Sequence, residues 1–322
     1  MTITATIQMS KQKIYVLGAG AVGCYFGGML ARAGCDVTLI GRPKRVRAIN
    51  QFGLQMDCQA FQERVTLNAS SEAAQLGDAD LILLSVKSYD TEKTIQEIAP
   101  FIAGKTIFLS LQNGVGNVPS ISRLISNPVY PAVVYVAAGM GDERTLKHHG
   151  RGELHIGQYG DLSPIDENNL QGIGNLFNNS GVHCVVSRNI QKDLWLKFLV
   201  NCAYNAISAI GQIEYAKMVQ VPQVNQLIEG ITSECLSIAK KEGVDISVAE
   251  ATKANELIAQ TMATQKSSTG QDLVRHKHTE IDYLNGYIVS KGMEHRIPTP
   301  SNQAVYALIK MVEKFNPWQG AS

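Results

Sequence analysis

Lys197, Asn201 and Asn205 stand four residues apart inside KDLWLKFLVNCAYNAISA (192–209), a stretch otherwise apolar enough to be a packed helix. On a helix that spacing gathers the three side chains on one face, within about 80° of arc. A lysine and two amides are costly to bury unless polar groups meet them. A bound polar ligand would meet them; so would water along an exposed stripe of a surface helix. A second candidate is Glu280, in SSTGQDLVRHKHTEIDYLNGY (267–287). Read as helix, this segment puts Glu280 on one face with Leu273, Leu284 and Tyr287, toward packing, where a carboxylate wants a partner. An ordinary structural ion pair is the competing explanation.

A third group lies near the N-terminus. The loop GAGAVG (Gly18, Ala19, Gly20, Ala21, Val22, Gly23) follows an apolar run, KIYVL, and opens a helical pattern. In that setting Gly18 allows the tight turn, Gly20 lets the backbone approach a pyrophosphate, and Gly23 lets helix and strand pack closely. The expected ligand is a dinucleotide; a glycine-rich turn used only for packing is the alternative. The next strand ends in LIGR. An NAD enzyme usually carries Asp or Glu there to hold the ribose 2′-hydroxyl. This chain carries Arg42, followed by Lys44, Arg45 and Arg47, and its Asp36 is too far back to serve. A cation suits a 2′-phosphate, so NADP(H) is the expected cofactor, with Arg42 as its reader and the other three as a solvated basic face. Lys87 closes DLILLSVK and Asn113 closes KTIFLSLQN. Each could be an ordinary loop residue. In open α/β sheets, however, ligands bind at the carboxyl ends of strands, and Gly18–Gly23, Arg42, Lys87 and Asn113 all fall at such ends. No metal site is expected. His148 and His149 are adjacent, and His276 and His278 are two apart on a presumed helix, so neither pair shares a ligand face.

The elements that must position these residues follow from periodicity. Short apolar runs alternate with helical patterns through the first half, which implies a parallel, doubly wound sheet. AVVYVAAG and GELHIGQYG look like further strands added antiparallel at the sheet edge. After about Ser187 only helical patterns remain. The expected organisation is a disordered extension over 1–12, a cofactor-binding Rossmann domain over 13–187, and a helical substrate-binding and catalytic domain over 188–322.

Composition limits the partners. The 322 residues include 29 Lys+Arg and 28 Asp+Glu, a net charge of +1, which argues against nucleic acid or an anionic membrane. No apolar run approaches the roughly 18 residues of a spanning helix, and the leader MTITATIQMSKQ lacks the apolar core of a signal peptide. The six cysteines form no C-x-x-C pair and several sit in apolar runs, so a reducing cytoplasm is the expected location.

Taken in order, GAGAVG, the Arg after the second strand, LQNGVG, LWLKFLVNCAYN and HTEIDYLNGY resemble the ketopantoate reductase (2-dehydropantoate 2-reductase) family over nearly the whole chain after residue 12. The resemblance implies a Rossmann domain joined to an all-helical domain of the 6-phosphogluconate-dehydrogenase-like kind, with the active site in the cleft between them. It implies a catalytic role for Lys197 and a substrate-binding role for Glu280. It implies that Asn201, Asn205 and Ser268 line the substrate pocket, and that Lys87 and Asn113 lie at the nicotinamide end of the cofactor site. Gln265 and Lys266, just before Ser268, depart from the family's pattern. The implied reaction is NADPH-dependent reduction of ketopantoate to pantoate, on the route to pantothenate and coenzyme A. In it Lys197 would stabilise the negative charge developing on the carbonyl oxygen and donate the proton. The alternatives are a reductase of another branched 2-oxo acid, an opine-type dehydrogenase and, outside enzymes, an NADP(H)-sensing module. The expected partner is thus a small 2-oxo acid, and the chain would be a monomer or a homodimer.

Overall fold

A computed structural model describes residues 12–315 of the chain. Of the extension expected over 1–12, residues 1–11 lie outside the described residues. The chain divides into two compact units, split between Ile190 and Gln191.

The first unit begins β1 (Lys13–Leu17), α1 (Ala21–Arg32), β2 (Asp36–Ile40), α2 (Pro43–Phe52), β3 (Leu54–Cys58), β4 (Phe61–Val65) and β5 (Asn68–Ser70). It continues with β6 (Leu81–Leu84), α3 (Thr91–Ile98), β7 (Ile107–Ser110), α4 (Asn117–Ser122), β8 (Val129–Met140), β9 (Thr145–Ile156), α5 (Pro164–Asn179) and β10 (Cys184–Val186). The sheet runs β4-β3-β9-β8-β7-β6-β1-β2-β5, with β10 beside β9. From β5 to β8 every pairing is parallel. The chain winds outward from β1 to β2 and β5, then returns to the other side of β1 with β6, which makes the carboxyl ends of β1 and β6 the switch point where such sheets bind ligands.

Whereas β2 (DVTLI) and β5 (NAS), toward the edge, carry polar residues, the inner parallel strands β1, β6 and β7 read as near-continuous apolar runs because both their faces are covered. Alternation then divides them: Ile14, Val16, Leu81, Leu83 and Leu109 join a core with Phe26 and Phe177, while Tyr15, Leu17, Ile82, Leu84 and Phe108 join another with Ile95 and Ile98. The fold is therefore a Rossmann-type sheet. It departs from the expected edge arrangement at β8 and β9. These two do pair antiparallel, but β9 also pairs parallel with β3, and β3 pairs antiparallel with β4. The β3–β4 hairpin thus carries the sheet one step further. Its signal is a period-2 alternation, in which Leu54, Met56 and Cys58 are buried while Gln55 and Asp57 are not.

The second unit is helical throughout its described residues: α6 (Ile190–Gly211), α7 (Tyr215–Met218), α8 (Pro222–Lys241), α9 (Val248–Thr261), α10 (Ser268–Val274), α11 (Asn285–His295) and α12 (Pro300–Phe315). Local chemistry sets several ends. Pro222 opens α8, a Ser247–Glu250 capping box opens α9, and Ser267 caps α10 by accepting from the Gly270 N–H. A buried polar chain fastens α6. Glu234 of α8 accepts from the Ser301 and Asn302 main-chain N–H groups and from Asn302 Nδ2. Asn302 Oδ1 in turn accepts from Asn285 Nδ2 at 2.9 Å, and the same nitrogen reaches the Cys202 carbonyl at 3.0 Å. Asn285 and Asn302 are both fully buried, so such a chain holds only because its donors are matched.

Candidate active site

The candidate residues form two groups, one in each unit. In the first unit, the GAGAVG loop is clipped to β2 by the N–H groups of Gly18 and Ala19, both donated to the Ile40 carbonyl at 3.0 and 3.1 Å. Gly18 adopts φ +103°, and a Cβ there would lie 2.7 Å from the Val86 nitrogen at the end of β6. A Cβ on Gly23 would run into the Gly18 carbonyl oxygen. Gly20 differs, because a Cβ there meets nothing within 4 Å. Two glycines therefore close the loop and one leaves its mouth open. Gly20 is also the N-cap of α1, with no side-chain cap and no acid in the first turn. Ala21, Val22 and Gly23 begin that turn, so their N–H groups and the helix dipole face outward, which fits a pyrophosphate. Gly23→Ala is expected to cost roughly 1–3 kcal/mol of stability, as overpacked sites do, and so to lower the melting temperature, and to weaken NADPH and NADH alike. A melting curve and two dissociation constants check this; unchanged values would mean that the loop yields freely.

Arg42 is exposed at the N-terminus of α2; its main-chain carbonyl accepts from the Val46 N–H at 3.1 Å, while its side chain hydrogen bonds to no other described residue. Lys44 and Arg47 are exposed too. Arg45 corrects the expectation of a solvated basic face. Its side chain is only 20% exposed, donating to the Ala19 carbonyl and, at 3.1 Å, to the Glu143 carbonyl. Lys87 is half-buried and leads a short 3₁₀ turn, Ser88–Asp90. Asn113 is half-buried before Gly114, whose φ is +92°. Residues that sequence reasoning passed over join these two strand ends. Gln112 donates to the Val86 carbonyl at 3.0 Å and to Thr91 Oγ1 at 2.6 Å; Asn117 donates to the Asn113 carbonyl at 2.6 Å and to Ser88 Oγ at 3.2 Å. Gln112 and Asn117 are buried, and polar residues within so apolar a strand end were the available signal.

In the second unit, Trp195, Phe198, Leu199, Cys202 and Ala203 bury the other faces of α6, whereas Lys197 and Asn201 stay half-buried. The Asn201 side chain makes no hydrogen bond to another described residue. Asn205 is only 4% exposed, and its Oδ1 accepts from the Tyr215 hydroxyl at 3.0 Å. Burial pushes the Tyr215 hydroxyl above its ordinary value, so it stays a donor. The Asn205 carbonyl accepts from Ser267 Oγ at 2.9 Å, which ties α6 to the start of α10. Of the adjacent serines, Ser267 is thus the buried structural cap, while Ser268 is exposed.

Glu280 is 7% exposed, as a packed position should be, but the helix expected around it is absent. α10 ends at Val274, His276 turns with φ +52°, and Glu280 sits in a bend before the 3₁₀ turn Ile281–Tyr283. His276 and His278 consequently lie off any helix and are exposed. Neighbours fasten the bend. Thr279 donates its N–H and hydroxyl to Glu313 at 2.8 and 2.6 Å, and Asp282 accepts from Tyr306 at 2.6 Å and Lys310 at 2.8 Å. Elsewhere Glu242, Glu294 and His295 bring ligand-type atoms within 4.8 Å of one another. There Lys291 lies 3.3 Å from Glu242 and 3.0 Å from Glu294, which makes the group an ion-pair cluster with its own counter-charge.

Residues 14–161 match the family described as "Ketopantoate reductase PanE/ApbA", and residues 189–313 match its C-terminal counterpart. The chain is 33% identical over 306 residues to the 2-dehydropantoate 2-reductase of Pyrococcus horikoshii, covering 94% of this chain and 97% of that protein. It is 32% identical over 302 residues to the enzyme of the same name from Vibrio cholerae, covering 94% and 98%. Among solved structures, a PanE/ApbA family ketopantoate reductase from Ralstonia eutropha aligns with a TM-score of 0.87 at 42% identity, covering 94% of this chain and 99% of that one. A D-mandelate dehydrogenase in ternary complex with NADH and anilino(oxo)acetate aligns with a TM-score of 0.87 at 27% identity, covering 94% and 99%.

Proposed function

Because the chain belongs to the ketopantoate reductase family, we propose that it reduces 2-dehydropantoate (ketopantoate) to pantoate with NADPH, on the route to pantothenate and coenzyme A. The observation that carries the reading is the polar face of α6. Lys197 and Asn201 sit half-buried on a helix most of whose residues from Leu194 to Ala209 are buried, and the Asn201 side chain bonds to no described residue. Residues 13–187 are assigned to the cofactor and 188–322 to the substrate.

When bound, NADPH supplies the hydride that C2 of the 2-oxo acid receives. Lys197 then meets the oxygen on which negative charge develops, lowers the energy of that charge and gives up the proton that completes the alcohol. Asn201 and Asn205 orient the lysine and the substrate oxygens, with Asn205 itself held by Tyr215. Ser268 lines the substrate pocket and Glu280 binds the substrate. Gly18, Ala19 and Gly20, with the first-turn N–H groups of Ala21, Val22 and Gly23, hold the pyrophosphate, and Arg42 reads the 2′-phosphate. Lys87 and Asn113 border the nicotinamide.

No helix among the described residues is long and apolar enough to cross a membrane. Six free, buried thiols suit a reducing compartment, and the cytoplasm is the proposed location. The D-mandelate dehydrogenase neighbour favours a second reading, reduction of a different 2-oxo acid on the same machinery. Following NADPH oxidation with ketopantoate and several branched 2-oxo acids side by side decides between them.

Arg42→Ala is expected to weaken NADPH by roughly 1.5–3 kcal/mol, the worth of a charge-assisted contact, and to leave NADH nearly unchanged. Dissociation constants for both cofactors check it. Equal weakening would remove Arg42 as the reader of the 2′-phosphate.

A further inference from the structure

An enzyme selective for NADH places a carboxylate at the end of its second strand, where it accepts from the ribose 2′-hydroxyl. This chain places Arg42 there, yet a carboxylate reaches the same corner across a sequence separation of 98 residues from Arg45. Glu143, in the turn between β8 and β9, lies 3.2 Å from Lys44 Nζ and 3.4 Å from Arg45 Nη2. Arg45 also donates to the Glu143 and Ala19 main-chain carbonyls, which fastens this turn to the GAGAVG loop. The hydrogen bond from Lys44, reinforced by Arg45, holds the Glu143 carboxyl below the ordinary carboxylate range, so it is charged at neutral pH.

The two cations are not equally committed. Arg45 is mostly buried and keeps two main-chain acceptors whatever the Glu143 side chain does. Lys44 is 77% exposed, and Glu143 is its one ion-pair partner among the described residues. A phosphate group arriving beside Arg42 finds Lys44 within a flexible side chain's reach but already paired.

We infer that Glu143 sets how strongly the site prefers a 2′-phosphorylated dinucleotide, because its carboxylate competes with that phosphate for Lys44. This inference rests on the reading of Arg42 as the end of the site that takes the 2′-phosphate. The preference of the parent protein is then less than its cations would allow, and Glu143 is a specificity determinant remote in sequence from the motif that reads the cofactor.

Glu143→Gln removes the charge, keeps the shape and keeps the main-chain acceptor of Arg45. Binding of NADPH and NADH, and of 2′,5′-ADP and ADP as fragments, is measured by titration calorimetry at low salt, with melting curves as the folding control. The ratio of the NADH to the NADPH dissociation constant is expected to rise about tenfold, equivalent to about 1.4 kcal/mol, with the NADH constant itself little changed. In a Lys44→Gln background the same Glu143→Gln change should leave that ratio nearly constant, since the two residues act through one pairing. A ratio unmoved by Glu143→Gln overturns the inference, and so does a rise that survives the loss of Lys44. If the Gln variant melts early, the fragment ratios for Glu143→Ala decide: the charge is lost, so a rise is expected, and an unmoved ratio overturns the inference. A parent protein with no preference for NADPH defeats the cofactor reading, while the Glu143 shift is still read against that protein's own ratio.

Discussion

Lys197→Ala is expected to fold, bind NADPH with unchanged affinity and lose about 10²- to 10⁴-fold in kcat, the range general acid–base help usually supplies. The expectation comes from where the charge goes. Hydride delivery to a carbonyl carbon leaves a full negative charge on oxygen, and a cation held at that oxygen is worth more in the transition state than in the ground state. Lys197 is half-buried on a helix whose neighbouring residues Trp195, Phe198 and Leu199 are packed, so its place on the helix is fixed. Lys197 is not among the fully buried residues of α6, which is why stability and cofactor binding serve as controls. Single-turnover rates at saturating NADPH, with a melting curve, check the result. A surface lysine would leave kcat intact, and a loss of only about threefold, far below that range, would sink the mechanism.

Glu280→Ala is expected to erase most of the preference for ketopantoate over α-ketoisovalerate. A buried carboxylate is a poor way to bind an anionic 2-oxo acid, because the two negative charges repel. It makes sense if it accepts a hydrogen bond from a neutral donor, and the 4-hydroxyl of ketopantoate is such a donor. Sites built around a hydroxyl reject analogues that lack it by up to about 10⁴- to 10⁵-fold, because their own polar groups are left unpaired. The parent protein should therefore show a much higher kcat/KM for ketopantoate. The variant should reduce ketopantoate slowly, with α-ketoisovalerate turnover far less affected. The two losses remove one interaction and should not add. Thr279 and Asp282 still fasten the bend to α12 in the variant, so its fold should persist. Two proteins and two substrates complete the cycle. Independent losses would show that Glu280 does not hold that hydroxyl, and a parent that prefers α-ketoisovalerate defeats the ketopantoate assignment while leaving a 2-oxo-acid reductase.

The sequence by itself determined the parts whose physics is local. Alternating apolar runs and helical patterns specified the parallel strands β1, β2, β6 and β7, because strands covered on both faces are mostly apolar, β2 keeping Thr38 among Val37, Leu39 and Ile40. The order strand, GAGAVG, helix marked the glycine loop as the candidate for a phosphate, a local pattern, although the close approach at Gly18 is to Ser85 and Val86 at the end of β6. The i, i+4 spacing of Lys197, Asn201 and Asn205 marked one face of α6, since helical periodicity needs no knowledge of the rest of the fold.

Only the tertiary structure decided what depends on residues far apart in the chain. The β3–β4 hairpin is short and half-polar, and its place beside β9 comes from long-range pairing. Glu280 shares a face with apolar residues if the segment is helical, yet the chain leaves the helix after Val274, and the bend in which it lies is fastened to α12 by its neighbours, Thr279 to Glu313 and Asp282 to Tyr306 and Lys310. The spacing leaves open what meets Asn205; packing brings the Tyr215 hydroxyl to its side-chain oxygen and Ser267 Oγ to its main-chain carbonyl. The strand-end rule showed an arginine without a carboxylate, because that rule is confined to one loop, whereas Glu143 arrives from the β8–β9 turn, 98 residues from Arg45. Periodicity reports which face of an element is apolar, while a charge's partner depends on which elements meet, and that is set by packing.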